Sequence, residues 1–405
     1  MIQRDLSKYN YIKQEDYEVV AGPDWPSFDE FTQHQNVADF VYDEVDVMLS
    51  DVKPFEHPSF CVLPFYGWEY PLKTPCCLIE RGANLDQLRT DMLSGQRPGA
   101  CHKCWKLEDA GMQSDRQIKN ATLDFYFKQN LENLFQRAKA GDYSPVSYKF
   151  ETNNTCNATC VTCSSHFSSA WGQLERKNGK IPVKHWQVTN TEIDAEIDYA
   201  TAQSVGFRGG EPLLSDTNFY ILEQLIKHNN QNCFINFVTN GSIELNNRQK
   251  TILSNFPNIN FCFSIDGVGS VFEYLRYPSP WSQLEKNIEY CRQNNILISA
   301  SYTVSNLNIL YHTETIKWFK DNNIPYLFNP VYWPTHFKIS ALPKAVKDYI
   351  AQQDIEPELL PFIQTHTKQD ELDYQQFKIE IARQDQWKGI SMQNYLPELA
   401  ALIDQ

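Results

Sequence analysis

Apolar and polar positions alternate with two different periods along this chain, and the change between them divides it. From residue 146 onward, short apolar runs of strand character recur: VSYKFE (146–151), AQSVGF (202–207), CFINFVT (233–239), INFCFSI (259–265), ILISASYTV (296–304) and PYLFNPVY (325–332). Amphipathic stretches of helical spacing, such as NFYILEQLIKHN and WSQLEKNIEYCRQN, lie between them. Strands that alternate with helices predict an α/β domain with a parallel sheet and crossover helices, open or rolled into a partial barrel. Beyond about residue 336 the pattern is helical.

The first part of the chain reads differently. Residues 1–55 are acidic, with one helical candidate around FDEFTQHQNVADFVYDEVDVMLSDV and no assignable role. Residues 56–120 are rich in Pro, Gly and Cys and poor in long periodic segments, as in modules held together by a metal rather than by a large core. Residues 121–145 predict a linker, helical through ATLDFYFKQNLENLFQRAKA and stopped at Gly141. The expected organisation is therefore 1–55, 56–120, 121–145, a barrel over 146–335 and a helical C-terminal segment over 336–405.

Composition narrows the chemistry. With 405 residues, 42% of them hydrophobic, the chain is globular in character, and it shows neither a signal-peptide pattern nor an apolar run of membrane-spanning length. A cytoplasmic protein with no membrane partner is the expectation. The net charge of −14 gives a nucleic-acid partner no electrostatic support. Eleven cysteines, an odd number in a chain of this kind, argue for metal, cluster or redox chemistry over a disulfide framework. Five lie between residues 61 and 104, three between 156 and 163, and Cys233, Cys262 and Cys291 are scattered later. Two centres are expected.

The loop CNATCVTC (156–163) follows the first barrel strand directly, at the strand end where α/β folds place their sites. Three thiolates suit an iron–sulfur cubane with one iron left open. The second strand runs into GFRGGEP (206–212), where adjacent glycines permit positive φ and close backbone approach. A competing reading of Gly267-Val268-Gly269 is the start of a dinucleotide-binding turn, against which Phe272 stands where the third glycine belongs.

Cys156, Cys160 and Cys163, with Gly209-Gly210-Glu211-Pro212 one βα unit later, resemble the radical S-adenosylmethionine (SAM) superfamily. VTNG (238–241), SIDG (264–267), YLRYP (274–278) and TVSNLN (303–308) extend the resemblance over about 146–335. It implies a partial (β/α)6 barrel of the TIM type and a 4Fe-4S cluster on the three cysteines. S-adenosyl-L-methionine would chelate the open iron, and its reductive cleavage would yield a 5′-deoxyadenosyl radical that abstracts a substrate hydrogen. Carried over residue by residue, Gly209, Gly210 and Glu211 would offer backbone groups to the SAM ammonium. Thr239, Asn240, Ser264 and Asp266 would lie near its ribose and carboxylate, with Arg276 as carboxylate partner. One position departs from the family pattern: Thr162 stands before the last cysteine, where a large apolar residue is common.

The earlier cysteines, in CVLPFYGWEYPLKTPCC and the stretch ending CHKCWKLEDAGMQSDR, are similar to twitch or shortened SPASM modules that carry an auxiliary 4Fe-4S cluster. The ligand set implied is Cys61, Cys76, Cys101 and Cys104. Cys77 is the alternative to Cys76, and structural zinc is the alternative to the cluster. His102 is read as exposed in the knuckle, with a zinc-ligand role as its alternative. Such a cluster would assist electron transfer in an oxidoreductase-type reaction on a peptide or small-molecule substrate, with a flavodoxin- or ferredoxin-type reductant; a redox-neutral outcome fits the sequence equally well. Cys233, Cys262 and Cys291 read as structural, with a hydrogen-donor role as the alternative for Cys262, whose parity with Ser264 and Asp266 turns it into the barrel. Asn329 and Tyr332 are placed near a substrate mouth. The competing reading is an iron–sulfur or zinc electron-carrier or interaction protein without SAM chemistry.

Overall fold

The computed structural model describes residues 57–109, 114–120, 131–331, 333–352, 359–364 and 366–403. The helical candidate in 1–55, the first half of the linker helix and Tyr332 lie outside the described residues. The chain divides into two compact units, one of residues 1–68 and 74–145, the other of residues 69–73 and 146–405.

Within the first unit, the helical turn α1 (Leu63–Tyr66) leads into strand β1 (Gly67–Tyr70), whose last two residues belong with the second unit. Helix α2 (Leu85–Leu93) is started by Asn84, whose side chain accepts the Asp86 and Gln87 N–H groups. Helix α3 (His102–Asp109) carries Cys104, with Cys101 ending the 3-10 turn just before it, and α4 (Leu131–Lys139) falls within the predicted linker. The described residues between 57 and 120 are thus more regular than their composition suggested. Asn84 was the local signal for α2, and the four-residue β1 is too short to show a period.

The second unit is built on six parallel strands: β2 (Ser147–Glu151), β3 (Ser204–Arg208), β4 (Phe234–Thr239), β5 (Ile259–Ser264), β6 (Leu297–Val304) and β7 (Tyr326–Pro330). With β1 at one edge they form a seven-stranded sheet in strict sequence order. The crossovers carry α5 (Ser169–Lys177), α6 (Asp216–Lys227), α7 (Asn247–Leu253), α8 (Trp281–Gln293) and α9 (His312–Asp321). Because every crossover steps the same way, right-handed connections put all five helices on one face. A twisted sheet covered on one face curls into a partial barrel. The helix α10 (Lys368–Lys388), capped by a Thr367–Asp370 box, is the longest element of the helical C-terminal segment among the described residues.

The two faces of the sheet differ in chemistry. Phe150, Phe207, Phe237 and Phe261 stand in register on four consecutive strands and are almost wholly buried on the helix side. Their rings meet at centroid distances of 6.5, 4.8 and 5.4 Å. A slip of one residue in any pair would move a phenyl ring to the opposite face, so this row fixes the register. The alternate residues, among them Lys149, Glu151, Arg208, Asn236, Asn260, Cys262, Ser299, Ser301 and Asn329, lie on the concave face, most of them half-buried.

Candidate metal and cofactor site

A closed barrel fills its interior with branched apolar side chains. Here the concave face is polar. Asn260 bridges Asn236 (2.7 Å) and Ser299 (2.9 Å) across β4, β5 and β6. Asn329 donates to Ser301 at 3.3 Å. At the β1 edge the buried Glu69 accepts from Lys149 (2.7 Å) and Arg208 (2.9 Å), and Arg208 also pairs with Glu151 (2.6 Å). Cys262 belongs to this face, in register with Ser299 of β6. Such a surface is suited to a polar ligand rather than to a packed core.

The three-cysteine loop leaves the C-terminal end of β2. Cys160 is buried, Cys156 and Cys163 half-buried. The Asn154 side chain organises the approach: its carbonyl oxygen accepts the Trp186 N–H (3.1 Å) and its amide donates to Ser165 O (3.3 Å). Ser168 caps α5 and donates from its hydroxyl to Ala158 O at 2.6 Å. The GGEP turn locks against this loop. Gly210 N–H donates to Asn153 O (3.2 Å) and Glu211 N–H to Thr155 O (2.7 Å). Gly209 has φ +116°, and a Cβ on Gly210 would stand 2.1 Å from Thr155 O. The glycines are therefore needed by the chain's own packing, and what the turn retains for an ammonium is carbonyl oxygen.

The remaining residues of the expected SAM contacts converge at the same end of the sheet, with partners of their own. Glu211 is 1% exposed. Its carboxylate accepts from Thr239 Oγ1 (2.7 Å), Asn240 N–H (2.8 Å) and Leu213 N–H (3.1 Å), tying the ends of β3 and β4 together. Burial raises its pKa to about 7 against those three donors. The Asn240 amide reaches Asn157 inside the cysteine loop at 2.9 Å. Asp266 holds Arg276 through two contacts of 2.6 and 2.9 Å and accepts Thr303 N–H at 3.0 Å. Arg276 directs its third nitrogen, Nη1, at Cys160 Sγ, 3.9 Å away. Ser264, at the end of β5, is buried.

In the first unit, Cys61, Cys76, Cys101 and Cys104 line one cavity together with Met92, Trp105 and Arg116. Cys76 is buried whereas Cys77 is exposed and does not line it. Arg116 is fixed by a bidentate pair with Glu108 (2.8 and 2.7 Å), a bond to Phe60 O (2.9 Å) and stacking on Trp105 at 5.1 Å. His102 is exposed, as expected.

Two of the thiols share a local geometry. The Leu78 N–H donates to Cys76 Sγ (3.4 Å) and the Ala158 N–H to Cys156 Sγ (3.5 Å), each from two residues on. These donors favour thiolate. Burial works the other way, pushing Cys101, Cys156 and Cys163 up to about 12. A positive metal centre reverses that penalty, since coordinated thiols are deprotonated outright. Cys291 is raised by burial alone, as a structural cysteine should be. Among the described residues no three His, Cys, Asp or Glu side chains are grouped to hold a single ion. The donor chemistry of both sets, thiol sulfur throughout, is that of iron–sulfur clusters and of structural zinc alike.

Sequence reasoning missed the contribution of the C-terminal helix. Gln384 of α10 donates to Val161 O at 3.0 Å, and Lys388 lies 4.9 Å over the Trp171 ring. Burial lowers Lys388 to about 8, while Cys160 and Asp385 hold it up. Trp171 had a local signal, the Ser168 cap before it; Gln384 and Lys388 had none.

Solved structures holding S-adenosylmethionine resemble the chain. They include native anSMEcpe with bound AdoMet (18% identity, TM-score 0.38, covering 51% of this chain and 60% of that one). Streptococcus suis SuiB bound to S-adenosylmethionine gives 14% identity, TM-score 0.38 and 58% of each chain. The radical S-adenosylmethionine methyltransferase TsrM from Kitasatospora setae, solved with tryptophan and a SAM analogue, gives 10% identity, TM-score 0.32, and 45% and 35% coverage. No family model and no curated protein matches.

Proposed function

We propose that this protein is a radical SAM enzyme. The observation that carries the reading is the convergence at one sheet end of the Cys156–Cys160–Cys163 loop and the GGEP turn packed backbone to backbone against it. Cys156, Cys160 and Cys163 would hold a 4Fe-4S cluster, which when bound supplies the electron for reductive cleavage of S-adenosyl-L-methionine and so a radical able to abstract hydrogen from substrate. The chain's own residues do the positioning. Gly209 and Gly210 present carbonyl oxygens for the SAM ammonium, and Glu211 holds the ends of β3 and β4 at fixed separation. Arg276, oriented by Asp266, places a guanidinium beside the site for a carboxylate. The polar concave face, with Cys262 as candidate hydrogen donor, receives a peptide or small-molecule substrate.

The reading extends to the first unit. Cys61, Cys76, Cys101 and Cys104 would hold an auxiliary cluster, supported by their common cavity and by the Leu78 N–H···S bond to Cys76. Four protein ligands leave it no open position, which suits electron transfer to or from a flavodoxin- or ferredoxin-type partner. Anaerobic reconstitution tests both statements. About eight irons per chain, falling to about four when Cys156, Cys160 and Cys163 become Ala, is expected for two cubanes. Wild-type protein with dithionite should release 5′-deoxyadenosine from SAM, and the variant should not. A loaded wild type that leaves SAM intact would favour an electron carrier and overturn the enzyme reading.

A further inference from the structure

The cysteine loop is gripped from three directions. The Leu275 and Tyr277 carbonyls accept from Val161 N–H (2.9 Å) and Thr159 N–H (2.6 Å), and Trp171 Nε1 donates to Cys160 O (2.9 Å). The third grip is the C-terminal helix, through Gln384 and Val161 O. Two other contacts fix α10 in place: Asp385 accepts from Tyr274 OH (2.9 Å) and from Met392 N–H (2.7 Å).

The charges facing the loop mostly cancel. Arg276 is matched by Asp266, and Arg383 is paired with Glu380. Asp385 is spent on its two donors, and burial raises its pKa toward the neutral form. Lys388 differs, because its hydrogen-bond partner is the neutral Gln384 Oε1 at 2.8 Å. Its ammonium lies 4.9 Å over the ring of Trp171, the same side chain whose Nε1 holds Cys160 O, and so stands one residue away from the cysteine loop.

We propose that α10 is a working part of the metal site: Gln384 fixes the loop at Val161, and the Lys388 ammonium raises the reduction potential of the cluster held by Cys156, Cys160 and Cys163. This rests on the cluster reading above. Uptake of one electron from a flavodoxin-type donor or dithionite makes the cluster more negative by one unit, and a nearby cation stabilises that product over the oxidised state. One charge within about 10 Å, at an effective dielectric of about 20, changes such an equilibrium by roughly tenfold.

The test is a redox titration of the anaerobically reconstituted full chain, followed by electron paramagnetic resonance. The signal is assigned by its loss when Cys156, Cys160 and Cys163 are all Ala. Lys388→Met is expected to lower the reduced-to-oxidised ratio at the wild-type midpoint about tenfold, equivalent to about 59 mV for one electron. Lys388→Arg, which keeps the charge, is expected to titrate like wild type. Should the Met variant fail to load, Lys388→Gln against Lys388→Arg makes the same comparison. Equal midpoints with and without the charge would overturn the inference while leaving the cluster intact. A wild type without any cysteine-dependent signal would instead overturn the cluster reading beneath it.

Discussion

Replacing Gly210 by alanine is the sharpest perturbation this structure offers. The added Cβ would sit 2.1 Å from Thr155 O and 2.7 Å from its carbonyl carbon, well inside ordinary contact. The obstacle is backbone, so no side chain can swing aside. Either the GGEP turn or residues 153–155 must move by about 1 Å or more. Overpacking of that kind costs about 1–3 kcal/mol. The hydrogen bonds Gly210 N–Asn153 O and Glu211 N–Thr155 O lie directly across the clash. Losing one or both adds about 0.5–1.5 kcal/mol each. A total of about 1.5–6 kcal/mol corresponds to a fall in Tm of about 3–12 °C in a unit of this size. Thermal unfolding of the apoprotein, followed by circular dichroism, measures it, and iron content after reconstitution reports on the adjoining cysteine loop. The matched control is Gly206→Ala in β3, the strand that leads into the turn, where the added Cβ meets nothing closer than 3.8 Å. The reasoning is refuted if Gly210→Ala melts with Gly206→Ala and loads as much iron.

Three further outcomes are expected. Phe237→Ala, in the middle of the in-register phenyl row, should lose about 3–5 kcal/mol in denaturant unfolding; a loss below 1 kcal/mol would show that the row does not set the register. Glu211 has a folded pKa of about 7, above its unfolded value, so the folded state binds the extra proton and stability should fall as pH rises from about 4.5 to about 7. The span is worth about 3 kcal/mol at most, and Glu211→Gln should flatten that slope; an unchanged pH profile in the variant would rule the residue out. In the first unit, Cys76→Ser should cost about four irons per chain and Cys77→Ser none, with the reverse result reassigning the ligand.

The parallel strands and the helices between them were legible in the chain because apolar periodicity is a local property. All six barrel strands lie within two residues of the runs that announced them. The cysteine loop and the GGEP turn were legible too, since loop chemistry and glycine requirements act over a few residues. The same holds for the parity of Cys262, which alternation alone decides. What only the tertiary structure decided are choices between local equals. Cys76 and Cys77 are neighbours in sequence, but one faces a cavity with Cys61, Cys101 and Cys104 and the other faces solvent. Glu211 was read for its backbone, yet its carboxylate bonds residues 28 and 29 positions away. Gln384 meets Val161 across 223 residues of chain. No period or spacing encodes such a pairing, because a hydrogen bond between distant segments exists only once the sheet has brought them within 3 Å or so of each other.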